Sequence, residues 1–323
     1  MLYPLTFHPI FKERVWGGRN LARLYAKELP PGVRIGESWE ISDLRGDVSV
    51  VSNGPLAGRD LRWLMEHHGQ DLLAGANLSK GRFPLLVKLL DAQDRLSLQV
   101  HPPADRAAEL GGEPKTELWW IADAASGAEL YVGLRRGVTR SVFERKIADG
   151  TVADCFHRIP VNAGDAMFLP SGRVHAIGAG LVIYEFQQNS DTTYRVFDWN
   201  RPGLDGRPRE LHVAQSLASV NFGDFEPSLI PGPFSGNAAT KRRLLVQDPA
   251  FTIEALQAAE GEVVALQPGK MQIIACVKGK LEVVGDGVSV ELPPGGFCLL
   301  PACLNKVSAR TQASATLLRA EPG

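Results

Sequence analysis

Short apolar runs, many of them alternating with polar residues, recur along the chain, and glycine or proline ends nearly every one. Side chains on an extended strand point to opposite faces with period 2, so these runs read as strands packed on one or both faces. The clearest are "FPLLVKLLDA" (83–92), "TELWWIAD" (116–123), "AMFLP" (166–170), "LVIYEFQQ" (181–188), "FTIEAL" (251–256) and "KMQIIACVKGKLEVV" (270–284). Helical periodicity is confined to 21–29, 60–73, a turn at 104–110, 141–148 and 210–220. Many short strands with turn signals between them predict a mainly β chain of jelly-roll barrels carrying a few short helices.

One apolar pattern occurs twice. "GDAMFLPSGRVH" (164–175) and "GGFCLLPACLNK" (295–306) share a glycine, a short apolar strand and a proline at the same spacing. A repeated β unit indicates a duplicated fold. The first copy ends in His175 and the second in Lys306, and an ammonium has no free lone pair for a metal. The expected organisation is therefore a catalytic domain over 1–225, a linker or crossover over 226–240 where Pro, Gly, Ser and Asn accumulate, and a metal-free β domain over 241–323.

Composition narrows the function. The 323 residues carry 35 basic and 36 acidic side chains, a net charge of −1, and these are spread along the chain. Such a balance gives no footprint for nucleic acid or an anionic membrane, so a small-molecule ligand is expected. There is no continuous apolar stretch of about 18 residues and no secretory-type leader pattern, which reads as a cytoplasmic protein. The four cysteines form no CxxC pair and read as small buried hydrophobes.

The polar residues inside the strand-like runs carry the chemistry. In "LSLQVHPP" (96–103), Ser97, Gln99 and His101 share one face, with Leu98 and Val100 on the other. In "PKTELWWI", Glu117 shares a face with Trp119 and Ile121, and His175 closes the repeated unit. Two imidazoles, a carboxylate and an amide oxygen suit Zn²⁺ with room for water, and would also accept Fe(II), Mn(II) or Co(II).

With these stretches, "FKERVWGG" (11–18), "GESWEIS" (36–42), "LPSGRVHAIGAG" (169–180) and "YEFQQNSDTTYRVFDWNR" (184–201) run in one order, and the chain resembles the type I mannose-6-phosphate isomerases, zinc enzymes of the cupin superfamily. The resemblance implies a double cupin fold and one Zn²⁺ on Gln99, His101, Glu117 and His175. It implies a catalytic Arg195 with Lys115 and Asp191 in the active site, and Ser97 near the sugar phosphate. Lys88 is a further candidate for pairing with that anion. Only 57 residues separate Glu117 from His175, so the chain resembles the short bacterial form. "HPPAD" stands where the family usually has "HPDD" or "HPDK", which affects the turn after the ligand strand.

The implied reaction interconverts D-mannose 6-phosphate and D-fructose 6-phosphate through a cis-enediol. It needs a base, a proton donor and stabilisation of negative charge on oxygen. The base is left open among Lys115, Asp191 and a metal-activated water. Two other readings compete: a metal-dependent cupin oxygenase, which has no need of Lys115 and Arg195, and a non-catalytic sugar-phosphate binder. The expected partner is a sugar phosphate, with no nucleic acid or membrane, on a monomer or weak homo-oligomer.

Overall fold

The computed structural model describes residues 2–74 and 81–323. Its first half contains, in chain order, β1 (Ile10–Gly18), α1 (Asn20–Tyr25), β2 (Ile35–Ile41), β3 (Asp43–Leu44), β4 (Asp47–Val48), α2 (Leu61–Leu73), β5 (Leu85–Ala92), β6 (Leu98–Val100) and β7 (Glu117–Ala124). There follow β8 (Glu129–Leu134), α3 (Arg140–Ala148), β9 (Phe156–Pro160), β10 (Ala166–Leu169), β11 (His175–Ile177), β12 (Leu181–Gln188), β13 (Tyr194–Phe197) and α4 (Val213–Ser219). The second half adds β14 (Ser235–Gly236), β15 (Thr240–Gln247), β16 (Phe251–Ala258), β17 (Val263–Ala265), β18 (Gln272–Lys278), β19 (Leu281–Gly285), β20 (Val288–Leu292), β21 (Phe297–Leu300), β22 (Val307–Thr311) and β23 (Ala315–Pro322).

The helices overlap the stretches the periodicity marked, with α1 ending at Tyr25 rather than at 29, and 104–110 forms turns as expected. Asp60 starts α2 by accepting a hydrogen bond from the Trp63 amide at 2.7 Å, and Thr139 does the same for Val142 ahead of α3. Each such cap is worth about 1 kcal/mol. Among the described residues no helix is long and apolar enough to cross a membrane.

The strands make two sandwiches. The first pairs a six-stranded sheet, ordered β1-β2-β5-β12-β7-β10, with a five-stranded sheet, β13-β6-β11-β8-β9. The second pairs β14-β15-β16-β23-β18-β21 with β17-β22-β19-β20. The jelly rolls are thus two facing sheets each, rather than closed barrels.

Alternation decides what each face does. Along β12, Leu181 and Ile183 point into the first sandwich, where they meet Trp119, Ile121 and Met167. Val182, Tyr184 and Phe186 point the other way, into a core shared with Phe251, Ile253, Ile273 and Leu318 of the second. The two six-stranded sheets therefore pack back to back, and this is why their strands are apolar on both faces. The Tyr184 hydroxyl donates to the Cys276 carbonyl at 2.9 Å and accepts from the Gly295 amide, tying the halves together. The outer face of the five-stranded sheet is covered by α3, α4 and neighbouring loops.

Two segments cross the expected boundaries. Leu5 pairs with Leu299, so the N-terminal residues lie on the second sandwich. The expected linker 226–240 supplies β14 and the first residue of β15, a hairpin that its turn-rich composition does not reveal. All four cysteines are free, with Cys155, Cys276 and Cys298 buried, as small apolar side chains would be.

Candidate metal centre and reaction cavity

The mouth of the first sandwich is shaped by a close approach of two backbones. A Cβ on Gly17 would lie 2.4 Å from the Gly36 nitrogen, and one on Gly36 would lie 2.6 Å from the Arg14 Cβ, so only glycine lets β1 lie this close to β2. The "VWGG" and "GES" stretches thereby set Arg14 against Glu37, Nε to Oε1 at 2.6 Å.

Sheet register assembles the ligand set. On β6, Gln99 is flanked by His175 of β11 on one side and Arg195 of β13 on the other. The facing sheet contributes Glu117 at the start of β7. His101, Glu117 and His175 converge with their ligand atoms within 4.8 Å of one another, and each is at least 99% buried. His101 Nε2 is 3.2 Å from Glu117 Oε1, and His175 Nε2 is 3.7 Å from Glu117 Oε2.

The donor atoms fit a cation. His101 Nδ1 is bonded to the Thr192 carbonyl at 2.8 Å and His175 Nδ1 to the Arg173 carbonyl at 2.9 Å. A carbonyl can only accept, so Nδ1 carries the proton in both rings and each Nε2 lone pair faces the cluster. His101 Nε2 and Glu117 Oε2 are buried without a hydrogen-bond partner, which is costly unless something else satisfies them, and Glu117 Oε1 is met only by the Lys115 ammonium. The Gln99 amide nitrogen is 3.3 Å from His175 Nε2, and a half-turn of that amide would offer its oxygen instead.

Electrostatics points the same way. Burial, and then the Lys115 ammonium, push the His101 imidazole down to about 3, and burial also lowers His175. Burial alone would favour a protonated Glu117, but Lys115 and His101 outweigh it and hold the carboxylate well below its ordinary range. The result is two neutral imidazoles and one carboxylate, the protonation states metal binding requires.

Above the cluster opens a cavity of about 520 Å³. Of the residues singled out from sequence, Ser97, Gln99, Lys88, Lys115, Asp191 and Arg195 line it, while His101, Glu117 and His175 form the buried cluster beneath. The Lys115 Nζ is 2.8 Å from Glu117 Oε1. Arg195 donates from Nη1 to the Glu210 carbonyl at 2.8 Å, while its Nε is buried without a partner. Burial and neighbouring Arg209 lower its pKa. Asp191 is exposed, and Ser97 is buried.

Lys88 differs from the anion-pairing group expected of it. Its Nζ lies 3.0 Å from Glu185 and 3.7 Å from Glu37, and it sits over the Trp39 ring. Burial favours the neutral amine, yet Glu185 and Glu37 reverse this and hold it protonated above its ordinary range. Glu37 also accepts from Trp39 Nε1 at 2.7 Å, and Glu185 from Trp119 Nε1 at 2.8 Å. The ammonium is therefore already committed to two carboxylates.

Sequence reading passed over Glu37, Glu185 and the cavity-lining Arg14 and Arg209. A signal for two of them existed. "LLVKLL" and "LVIYEF" each carry one charged residue amid apolar ones, and charged side chains rarely lie inside strands unless paired. Lys88 and Glu185 are direct cross-strand neighbours.

Comparison with known proteins agrees with this geometry. The family model described as phosphomannose isomerase type I, catalytic domain, matches residues 5–118. The chain is 34% identical over 306 residues, 94% of each chain, to the probable mannose-6-phosphate isomerase GmuF of Bacillus subtilis. It is 39% identical over 254 residues, 78% of each chain, to the mannose-6-phosphate isomerase of Streptococcus mutans. The solved mannose 6-phosphate isomerase from Bacillus subtilis superposes with a TM-score of 0.90 at 30% identity, covering 99% of this chain and 100% of that one. A zinc-bound mannose 6-phosphate isomerase shares the fold at 17% identity, with a TM-score of 0.79 and 99% of each chain covered.

Proposed function

The chain belongs to the type I phosphomannose isomerase family, and on that premise we propose that it interconverts D-mannose 6-phosphate and D-fructose 6-phosphate at one zinc centre. The observation that carries this reading is the convergence of buried ligand atoms on His101, Glu117 and His175, with His101 Nε2 and Glu117 Oε2 lacking a hydrogen-bond partner, directly beneath an open polar cavity. In this reading His101, Glu117 and His175 hold the ion and Gln99 supplies an amide oxygen. Zinc bound there would act as a Lewis acid toward the sugar oxygens.

The remaining roles fall to the cavity wall. Aldose to ketose requires a proton to leave C2 and one to arrive at C1, through a cis-enediol. Lys115 is the buried cation beside the cluster, and sharing the Glu117 charge with a metal would loosen the pair that holds it. It is the group we assign to carry the proton, with Asp191 accepting from sugar hydroxyls at the rim. Arg195 stabilises negative charge on the enediol oxygens without surrendering its own proton. Ser97 contributes a hydrogen bond to the phosphate. Lys88, neutralised by Glu37 and Glu185, shapes the wall more than it attracts the anion.

The test is a coupled assay of mannose 6-phosphate conversion to fructose 6-phosphate on the protein as purified, after chelation, and after zinc is restored. Turnover that disappears and returns is expected. No turnover with any divalent metal would overturn the reading, and turnover indifferent to chelation would overturn its metal.

A further inference from the structure

A second cavity, of about 340 Å³, lies on the outer face of the five-stranded sheet, away from the cluster. Its floor is aromatic: Tyr131 and Trp199 meet edge to face with ring centroids 5.6 Å apart. Its wall is cationic. The Arg95 guanidinium stacks 3.9 Å from the centre of the Trp199 ring, and neither it nor Arg135 has a carboxylate within ion-pair distance among the described residues. Two carboxylates also line the cavity, but Asp154 is paired to Lys146 at 2.9 Å and Glu226 to Arg136 at 3.0 Å. The third arginine, Arg158, is paired to Glu129. Two guanidiniums therefore line one cavity without a carboxylate partner, Arg135 donating only to the Asp154 carbonyl at 3.5 Å, and a guanidinium is the group best suited to gripping a phosphate.

Trp199 connects this cavity to the reaction cavity. Its backbone is left-handed at φ +58°, as is Asn200 at +53°, a conformation that a bulky residue holds only where the surroundings impose it. Its indole Nε1 donates to the Leu96 carbonyl at 2.7 Å, and Leu96 lines the reaction cavity just before Ser97. Beyond Asn200 the chain forms a hairpin, closed by a Pro202–Pro208 bridge, whose Gly203 and Leu204 line the same reaction cavity.

We propose that the Arg95–Arg135 cavity is a second anion site for a phosphate group, coupled to the reaction cavity through Trp199. The inference stands on this cavity's own residues, and the coupling adds a regulatory input to the activity proposed above. The zinc-loaded protein should be titrated with inorganic phosphate and followed by phosphorus NMR, alongside the variants Arg95→Gln/Arg135→Gln and Ser97→Ala. The wild type is expected to bind two equivalents. The double variant should lose one, with at least a tenfold drop in affinity at that site, while Ser97→Ala should weaken only the other. Because both replaced side chains are exposed, the double variant should keep its basal turnover and its fold. Phosphate inhibition should be mixed in the wild type and purely competitive in the double variant. Wild-type stoichiometry and affinity in the double variant would overturn the site. Competitive inhibition in both proteins would overturn the coupling.

Discussion

The two sandwiches share one strand order, β1-β2-β5-β12-β7-β10 against β14-β15-β16-β23-β18-β21, and differ in how they treat polar atoms inside. In the first, Lys88 of β5 faces Glu185 of β12; in the second, Glu254 of β16 faces Arg319 of β23. The same cross-strand position thus holds an ion pair in both, fully buried in the first and with a half-buried carboxylate in the second, and the charges are exchanged between strands. Glu117 is opposite Leu169, and Gln272 is opposite Leu300 in the second copy. Yet Gln272 is satisfied: its amide donates to the Gln267 carbonyl at 2.6 Å and accepts from the Gln267 amide at 3.2 Å. Lys306, in the place of His175, is exposed. Such an ion pair is compatible with either a working or a structural sandwich. What distinguishes the first is a convergent set of buried ligand atoms, of which His101 Nε2 and Glu117 Oε2 lack a hydrogen-bond partner.

Replacing the residue where the copies diverge gives the largest expected contrast. His175→Ala should reduce bound metal and turnover to background, while Lys306→Ala should leave both unchanged; elemental analysis and the isomerase assay read the pair. Loss of metal in a folded Lys306→Ala protein would break the comparison.

Next come the matched ion pairs. Lys88→Met leaves buried Glu185 without its cation and should cost about 3–5 kcal/mol in urea unfolding, whereas Arg319→Met should cost less, because Glu254 keeps Arg242 and Glu321 keeps Lys270. Only Lys88→Met should also lower kcat/KM, by at least about tenfold. Equal activity losses in the two variants would mean that the second sandwich takes part in the chemistry.

Acid should separate the copies further. Burial opposes ionisation of Glu37, but Lys88 and Arg14 hold its carboxylate down at about 2. A carboxyl lowered on folding stabilises fully above the ordinary carboxylate range, and that contribution fades as pH falls through the folded value. Between roughly pH 4.5 and 2 the wild type should lose up to about 3 kcal/mol through this group. Glu37→Gln should show a shallower loss over that interval; an unchanged acid slope would assign the sensitivity elsewhere.

The smallest effect tests whether a ligand can be restored to the second copy. Gln272→Glu should bind no zinc, because the neighbouring imidazoles are missing, and should destabilise by about 1–3 kcal/mol through unsatisfied buried oxygens. Zinc binding by this variant would show the second site to be more nearly preformed than its hydrogen bonds indicate.

Much of this was legible in the chain itself. Alternation in "TELWWIAD" correctly divided Trp119 and Ile121 from Leu118 and Trp120, which now occupy different cores. The repeated glycine-strand-proline unit marked β10 and β21, and the residue types that converge as His101, Glu117 and His175, with Gln99 beside them, were readable. The partners of Lys88 were not. An inward lysine in "LLVKLL" signals that a carboxylate must be near, but which one depends on β2, β5 and β12 becoming neighbours from distant parts of the chain. The same holds for Arg14 and Arg209, whose surroundings in sequence resemble any solvated surface.

Local sequence therefore determined which positions are strands, which faces they bury and which side chains could bind a cation, because period, turn chemistry and donor type are properties of a few consecutive residues. Tertiary structure decided which of those polar atoms are satisfied. Gln272 and Glu117 occupy corresponding places, and only the chain folded around each one determines whether a backbone group reaches it or leaves it among two imidazoles and an ammonium.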